Sequence, residues 1–66
     1  MRIQLNGEPR ELDRPMSIAA LLESLAIDPR IVAVEYKGLV VKRARYADTI
    51  VEDGSEVEIV RFVGGG

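Results

Sequence analysis

Residues 17–25 read SIAALLESL, and their reading decides the fold. Ile18, Leu21, Leu22 and Leu25 recur at i, i+3, i+4 and i+7, the spacing that gathers apolar side chains on one face of an α-helix. Ser17 stands where an N-cap belongs, because its hydroxyl accepts a hydrogen bond from an otherwise unpartnered N–H of the first turn. Met16 and Leu21 flank that cap at the positions of a hydrophobic staple. Asp28-Pro29 is expected to close the segment, since a residue before proline is biased away from helical geometry. One helix with one apolar stripe needs a surface to cover it, and the remainder of the chain supplies strands.

Upstream, Met1, Ile3 and Leu5 alternate with polar residues, and Asn6-Gly7 is a strong hairpin signal because both residues tolerate positive φ. Glu8 to Leu12 then returns antiparallel. Pro9 has no N–H to donate, which sends this strand to an edge or places the proline in the turn. Downstream, IVAVEY (31–36) is rich in β-branched residues, Lys37-Gly38 turns the chain, and LVV (39–41) pairs back. A polar connector, KRARYADT (42–49), leads to a turn at Glu52-Asp53-Gly54 and to a last strand from Glu56 to Val63, with Val57 and Ile59 facing the core. The order is ββαβββ. A single helix laid across one face of a mixed five-stranded sheet is an α+β roll, the β-grasp arrangement of ubiquitin. Residues 1–63 form a single domain in this reading, and residues 64–66 form a flexible glycine tail.

Composition narrows the function. A 66-residue chain without cysteine or histidine must rely on its apolar core, because disulfides and zinc are not available to it. Nine Lys and Arg against eleven Asp and Glu argue against nucleic-acid binding, which ordinarily shows a basic excess. Residues 1–14 have polar residues throughout, with no apolar stretch like a signal peptide's, and no run approaches the ~20 residues that span a bilayer. The expectation is a soluble cytoplasmic protein with no membrane partner. Ser17, Ser24, Thr49 and Ser55 have no imidazole to activate them, so the chain is expected not to be an enzyme. Glu52, Asp53, Glu56 and Glu58 do not follow a calcium loop's spacing and read as a solvated acidic face open to charge-complementary partners. Lys42, Arg43 and Arg45 read as surface solvation.

The glycines divide into two groups. Gly7, Gly38 and Gly54 fall in turns, whereas Gly64, Gly65 and Gly66 follow a strand and have no turn to make. A terminal glycine carboxylate is the least hindered main-chain carboxylate, and a side-chain-free arm threads into a narrow active site. Its expected chemistry is adenylation by ATP on a separate enzyme. A persulfide nucleophile would then lead to a thiocarboxylate, and a cysteine thiolate to a thioester.

NGEPREL (6–12), SIAALLESLAIDPRIVAVE (17–35), ADTIVEDGSEVEIVRF (47–62) and the closing GGG together resemble the ThiS family of sulfur carriers of thiamin biosynthesis, over the whole chain. Lys37 stands where that family often has Asn, and Lys42 where proline is frequent, so loop geometry departs and the tail does not. The resemblance implies that Gly66 is adenylated and then thiocarboxylated, with Gly65 its essential neighbour and Gly64 an added thin link. It implies a ThiF-type adenylating enzyme that uses ATP and magnesium, and a ThiG-type thiazole synthase that joins the sulfur to deoxyxylulose phosphate and dehydroglycine. The carrier itself would bind no cofactor and would be recycled as a co-substrate. Related readings stand beside it: a molybdopterin-synthase small-subunit-like carrier, a ubiquitin-like protein modifier, and a binding module without terminal chemistry.

Two readings of Phe62 also stand open. Strict alternation from Val57 and Ile59 sends Val60 and Phe62 to the opposite face, where they would form a docking patch before the tail. A bulge or edge twist would instead return Phe62 to the core, or the ring would pack against Met1 or Leu5.

Overall fold

A computed structural model describes residues 1–62. Val63 and the three closing glycines, and with them the expected flexible tail, lie outside the described residues. Seven strands and one α-helix follow one another as β1 (Arg2–Leu5), β2 (Glu8–Glu11), β3 (Met16–Ser17), α1 (Ile18–Ser24), β4 (Val32–Tyr36), β5 (Leu39–Val41), β6 (Ile50–Val51) and β7 (Glu56–Arg61).

The helix begins as its sequence dictates. Ser17 Oγ accepts from the Ala20 N–H at 3.0 Å, and Ile18, Leu21 and Leu22 are buried. It ends earlier than Asp28-Pro29 suggests. Leu25 is the C-cap, and Ala26 turns into the left-handed region at φ 57°. The Ala26 N–H donates to Glu23 O at 3.0 Å and the Ile27 N–H to Leu22 O at 2.9 Å, the paired bonds of a Schellman motif. Ile27 packs against the core, as the residue after such a turn commonly does. The signal was hidden because glycine ordinarily marks this position and here alanine fills it. Asp28 instead caps a 3₁₀ turn, Pro29–Ile31, its Oδ1 accepting from the Arg30 N–H at 2.9 Å.

Five strands form one mixed sheet in the order β2-β1-β7-β4-β5. β1 and β7 run parallel in its middle, and the other neighbours pair antiparallel. Both hairpins turn through consecutive positive-φ residues, Asn6-Gly7 at 52° and 82° and Lys37-Gly38 at 54° and 83°. These are the primed turns whose twist matches that of the flanking strands. Pro9 lies in β2, an edge strand, where its missing N–H leaves no interior ladder bond unmade.

Strand alternation sends Ile3, Val32, Val34 and Val57 to the helix side, where they close over Ile18, Leu21 and Leu22. Burying each such side chain stabilises the fold by about 1.5–3 kcal/mol. Two parts of the core lie outside the sequence reading. β3 and β6 form a two-stranded ribbon, pairing Met16 with Val51 and Ser17 with Ile50, and Val51 is fully buried. Strands of two residues are too short to show a period. The connector read as polar contains a 3₁₀ turn, Arg43–Arg45, that delivers Tyr46 into the core, and the Tyr46 carbonyl accepts from the Ala19 N–H at 3.0 Å.

Ala26 holds a conformation in which its Cβ crowds the following carbonyl. Ala26→Gly is expected to stabilise the protein by about 1 kcal/mol, the steric relief outweighing the added entropy of the unfolded chain. Chemical denaturation checks this, and an unchanged or lower midpoint would contradict it.

Candidate functional site

β7 is the strand that leads to the closing glycines, and its backbone is fixed on both sides. Gln4 and Leu5 of β1 pair with Glu56 and Val57, and β4 pairs along the strand from Tyr36–Val57 to Val32–Arg61. Beyond the strand, the Phe62 N–H donates to Ile31 O at 2.9 Å, so the ladder holds the chain to the last described residue. Asn6 extends the short parallel pairing. Its Oδ1 accepts from the Ile59 N–H at 2.7 Å, and its Nδ2 donates to Ile59 O at 3.3 Å. The sequence marks Asn6 only as a turn residue. Its side-chain amide also stands in for the next rung of the ladder, a role that depends on the strand order and so has no local signature.

Exposure shows that Phe62 is not returned to the core. Val57 is buried and Ile59 half-buried, while Val60 is 55% exposed and Phe62 60% exposed. No bulge interrupts the β4–β7 register as far as Arg61, and Phe62, although exposed, stands beside Val32, Val41 and Tyr46 of the helix side. Phe62 borders a shallow groove shared with Pro29, Arg30, Val41 and Arg43. Gly64, Gly65 and Gly66, named above as the reacting arm, lie outside the described residues.

The acidic residues do not act as one face. The Glu52 carboxylate accepts from Lys37 Nζ at 2.6 Å, which holds its pKa below the ordinary value and raises that of Lys37. Asp53 Oδ1 accepts from the Arg2 N–H at 2.8 Å and ties the turn to β1. Glu56 and Glu58 project from β7, where both are exposed. At the groove, the Arg30 guanidinium and then the Arg30 backbone N–H hold Asp28 down from its ordinary 3.8 to about 2. Both partners of this pair lie at the surface.

The hydroxyls are committed to the backbone. Ser17 caps α1, Ser24 Oγ donates to Leu21 O, Thr49 Oγ1 to Arg45 O and Ser55 Oγ to Glu52 O. Among the described residues there is no group of three or more metal-ligating side chains, and no helix is long and apolar enough to cross a membrane.

A mixed sheet crossed by one helix, with a middle strand that runs toward a glycine-only segment, defines the β-grasp class. The model of the ThiS family matches residues 3–66, and the chain belongs to that family. The crystal structure of the thiamine biosynthesis protein ThiS from Geobacter metallireducens superposes with a TM-score of 0.88 at 35% identity, covering 100% of both chains. The sulfur carrier protein ThiS of Bacillus subtilis is 35% identical over 65 residues, covering 97% of this chain and 98% of its own. A thiazole synthase from Paramagnetospirillum magneticum is 44% identical over 66 residues, 100% of this chain, which spans 20% of that protein's length.

Two tests follow from the geometry. Asn6→Asp keeps the turn but loses the donor to Ile59 O, and is expected to lower stability by about 1 kcal/mol in chemical denaturation. An unchanged midpoint would show that the amide adds nothing to the ladder. Because folding lowers the Asp28 pKa, its pair contributes stability above 3.8 that is lost as pH falls toward 2. Asp28→Asn should therefore show a shallower decline of Tm than the parent across that window, and identical slopes would contradict the pairing.

Proposed function

We propose that this chain is a sulfur carrier for thiamin biosynthesis, with the carboxyl carbon of Gly66 as the site that carries sulfur. The observation that supports this most is the extent of the family match, which continues through Gly66. The chemistry agrees with it. The serine and threonine hydroxyls of the described body are bonded to backbone carbonyls or cap a helix, while a glycine carboxylate needs only an enzyme to activate it.

In this proposal a ThiF-type enzyme binds ATP and magnesium. A Gly66 carboxylate oxygen attacks the α-phosphorus and pyrophosphate leaves, forming an acyl-adenylate. The terminal sulfur of an enzyme persulfide attacks the carbonyl carbon and AMP leaves. A thiol reductant then cleaves the resulting acyl disulfide, releasing the thiocarboxylate. A ThiG-type thiazole synthase takes the sulfur into the thiazole ring, and the carrier returns as its carboxylate. The carrier is consumed and regenerated as a co-substrate, and the catalytic groups belong to its partners. Gly65 and Gly64 serve as the arm that lets the carboxyl enter a narrow channel.

Val60 and Phe62 give this proposal a docking surface. Exposed apolar side chains beside the arm can be buried by an enzyme that has to admit the arm, and aromatic residues often dominate such contacts.

Intact mass measured after incubation with a ThiF-type enzyme, magnesium-ATP and a sulfur donor checks the proposal. The expected gain is that of one oxygen exchanged for sulfur, absent when Gly66 is deleted. No gain with an enzyme competent on its own carrier would contradict it. Phe62→Ala is expected to keep the parent's Tm and lower kcat/KM for adenylation about tenfold or more. An unchanged kcat/KM would remove Phe62 from the docking surface.

A further inference from the structure

β7 is held unequally on its two sides. On one side the antiparallel ladder to β4 runs from Tyr36–Val57 to Val32–Arg61, and the Phe62 N–H donates to Ile31 O at 2.9 Å. On the other side β1 accompanies β7 only from Gln4–Glu56 to Leu5–Val57. The Asn6 N–H then donates to Val57 O at 2.9 Å, and the chain reverses through Asn6-Gly7 into β2, so β1 has no backbone left for Ile59. The Asn6 side chain fills that rung. Its Oδ1 accepts from the Ile59 N–H at 2.7 Å and its Nδ2 donates to Ile59 O at 3.3 Å. An N–H can meet only the amide's oxygen, which fixes the orientation of the side chain. Among the described residues, no hydrogen bond from β1 or β2 reaches β7 past Ile59.

The Asn6 amide is therefore the last described tie on that side of the strand that leads to Gly66. Resting on the function proposed above, we infer that Asn6 is a positioning residue for the activation of Gly66. It touches no reacting atom, and acts by keeping Val60, Arg61 and Phe62 ordered in the sheet, so that an activating enzyme does not have to order them itself. The consequence is thermodynamic. An enzyme that draws the Gly66 carboxyl into a channel has to fix the backbone that leads to it, and every residue ordered only on binding opposes binding. With Asn6 in place, folding has already met that cost for residues 60–62. Without it they are held by β4 alone, as the fraying end of an edge strand. Asparagine suits both tasks at this position. It tolerates the φ of 52° that the turn requires, and its short amide offers one acceptor and one donor, as a peptide group does. Glycine meets the first requirement and lacks the second, so Asn6→Gly removes the tie and leaves the turn.

The test compares the full chain with three variants, each measured below the Tm of the least stable. Asn6→Gly loses both side-chain bonds, and Asn6→Asp keeps the acceptor and loses the donor. Ser17→Ala removes the α1 cap, a loss of stability that touches no bond of β7. Amide hydrogen exchange at Val60 and Phe62 is expected to quicken in Asn6→Gly beyond what its global loss of stability explains, and not in Ser17→Ala. Pyrophosphate release with a ThiF-type enzyme and magnesium-ATP is expected to show KM for the Asn6→Gly carrier raised about tenfold, the ordering of roughly one residue, with kcat unchanged. The expected KM of Asn6→Asp lies between those of Asn6→Gly and the parent, and that of Ser17→Ala stays near the parent's. The inference is overturned, while the carrier function stands, by equal KM values for Asn6→Gly and Ser17→Ala, by a fall in kcat in place of the rise in KM, or by exchange at Val60 and Phe62 that follows global stability alone. If the parent itself is not adenylated by an enzyme competent on its own carrier, the carrier function fails and the positioning role with it.

Discussion

Everything in this fold depends on covering one apolar stripe. Ile18, Leu21 and Leu22 have no second helix to pack on, so they are buried against the sheet face that carries Ile3, Val34 and Val57. That contact fixes which face of every strand turns inward. It also fixes what is left over, a second face with no helix on it. In a chain this short, where folding buries only about 60% of the unfolded surface, little further apolar area can be covered. Val40 and Val60 stay in solvent because the helix is committed to the other side.

The same packing separates stability from chemistry. The body's hydroxyls cap or brace backbone, its lysine and aspartate pairs staple turns, and Asn6 completes the ladder beside β7. These interactions hold the strand that approaches the glycines, and in the function proposed here the chemistry is left to the Gly66 carboxyl group. A carrier of this kind has to be rigid where partners grip it and free of side chains where they work on it.

The five strands of the main sheet, the helix and the two primed turns were legible in the sequence because each announces itself locally, by a period of two, a period of 3.6 or a pair of positive-φ residues. Phe62 was legible in part. Alternation pointed it away from the core, and its exposure shows it is not buried, while the β4–β7 register itself ends at Arg61. What stayed hidden has no local signature. Ala26 ends the helix in a conformation that its type disfavours. The β3–β6 ribbon spans two residues on each side. Tyr46 is one aromatic residue in a polar run. The acidic face read from Glu52 to Glu58 was regrouped by topology, which pairs Glu52 with Lys37 and Asp53 with the Arg2 backbone and sets Glu35 beside Glu58. The reading of Gly64 to Gly66 as a reacting arm lies outside the described residues.

The central claim is that sulfur travels on the carboxyl carbon of Gly66 and is handed on. The most direct measurement loads the chain with heavy-isotope sulfur and supplies it, free of other sulfur donors, to a thiazole synthase with its small-molecule substrates. Isotope content of the thiazole product and intact mass of the protein are then followed together. The account predicts that the heavy sulfur appears in the thiazole ring while the protein returns to its carboxylate mass in equal amount. Unlabelled product, or a loaded protein that keeps its sulfur while product forms, would contradict it.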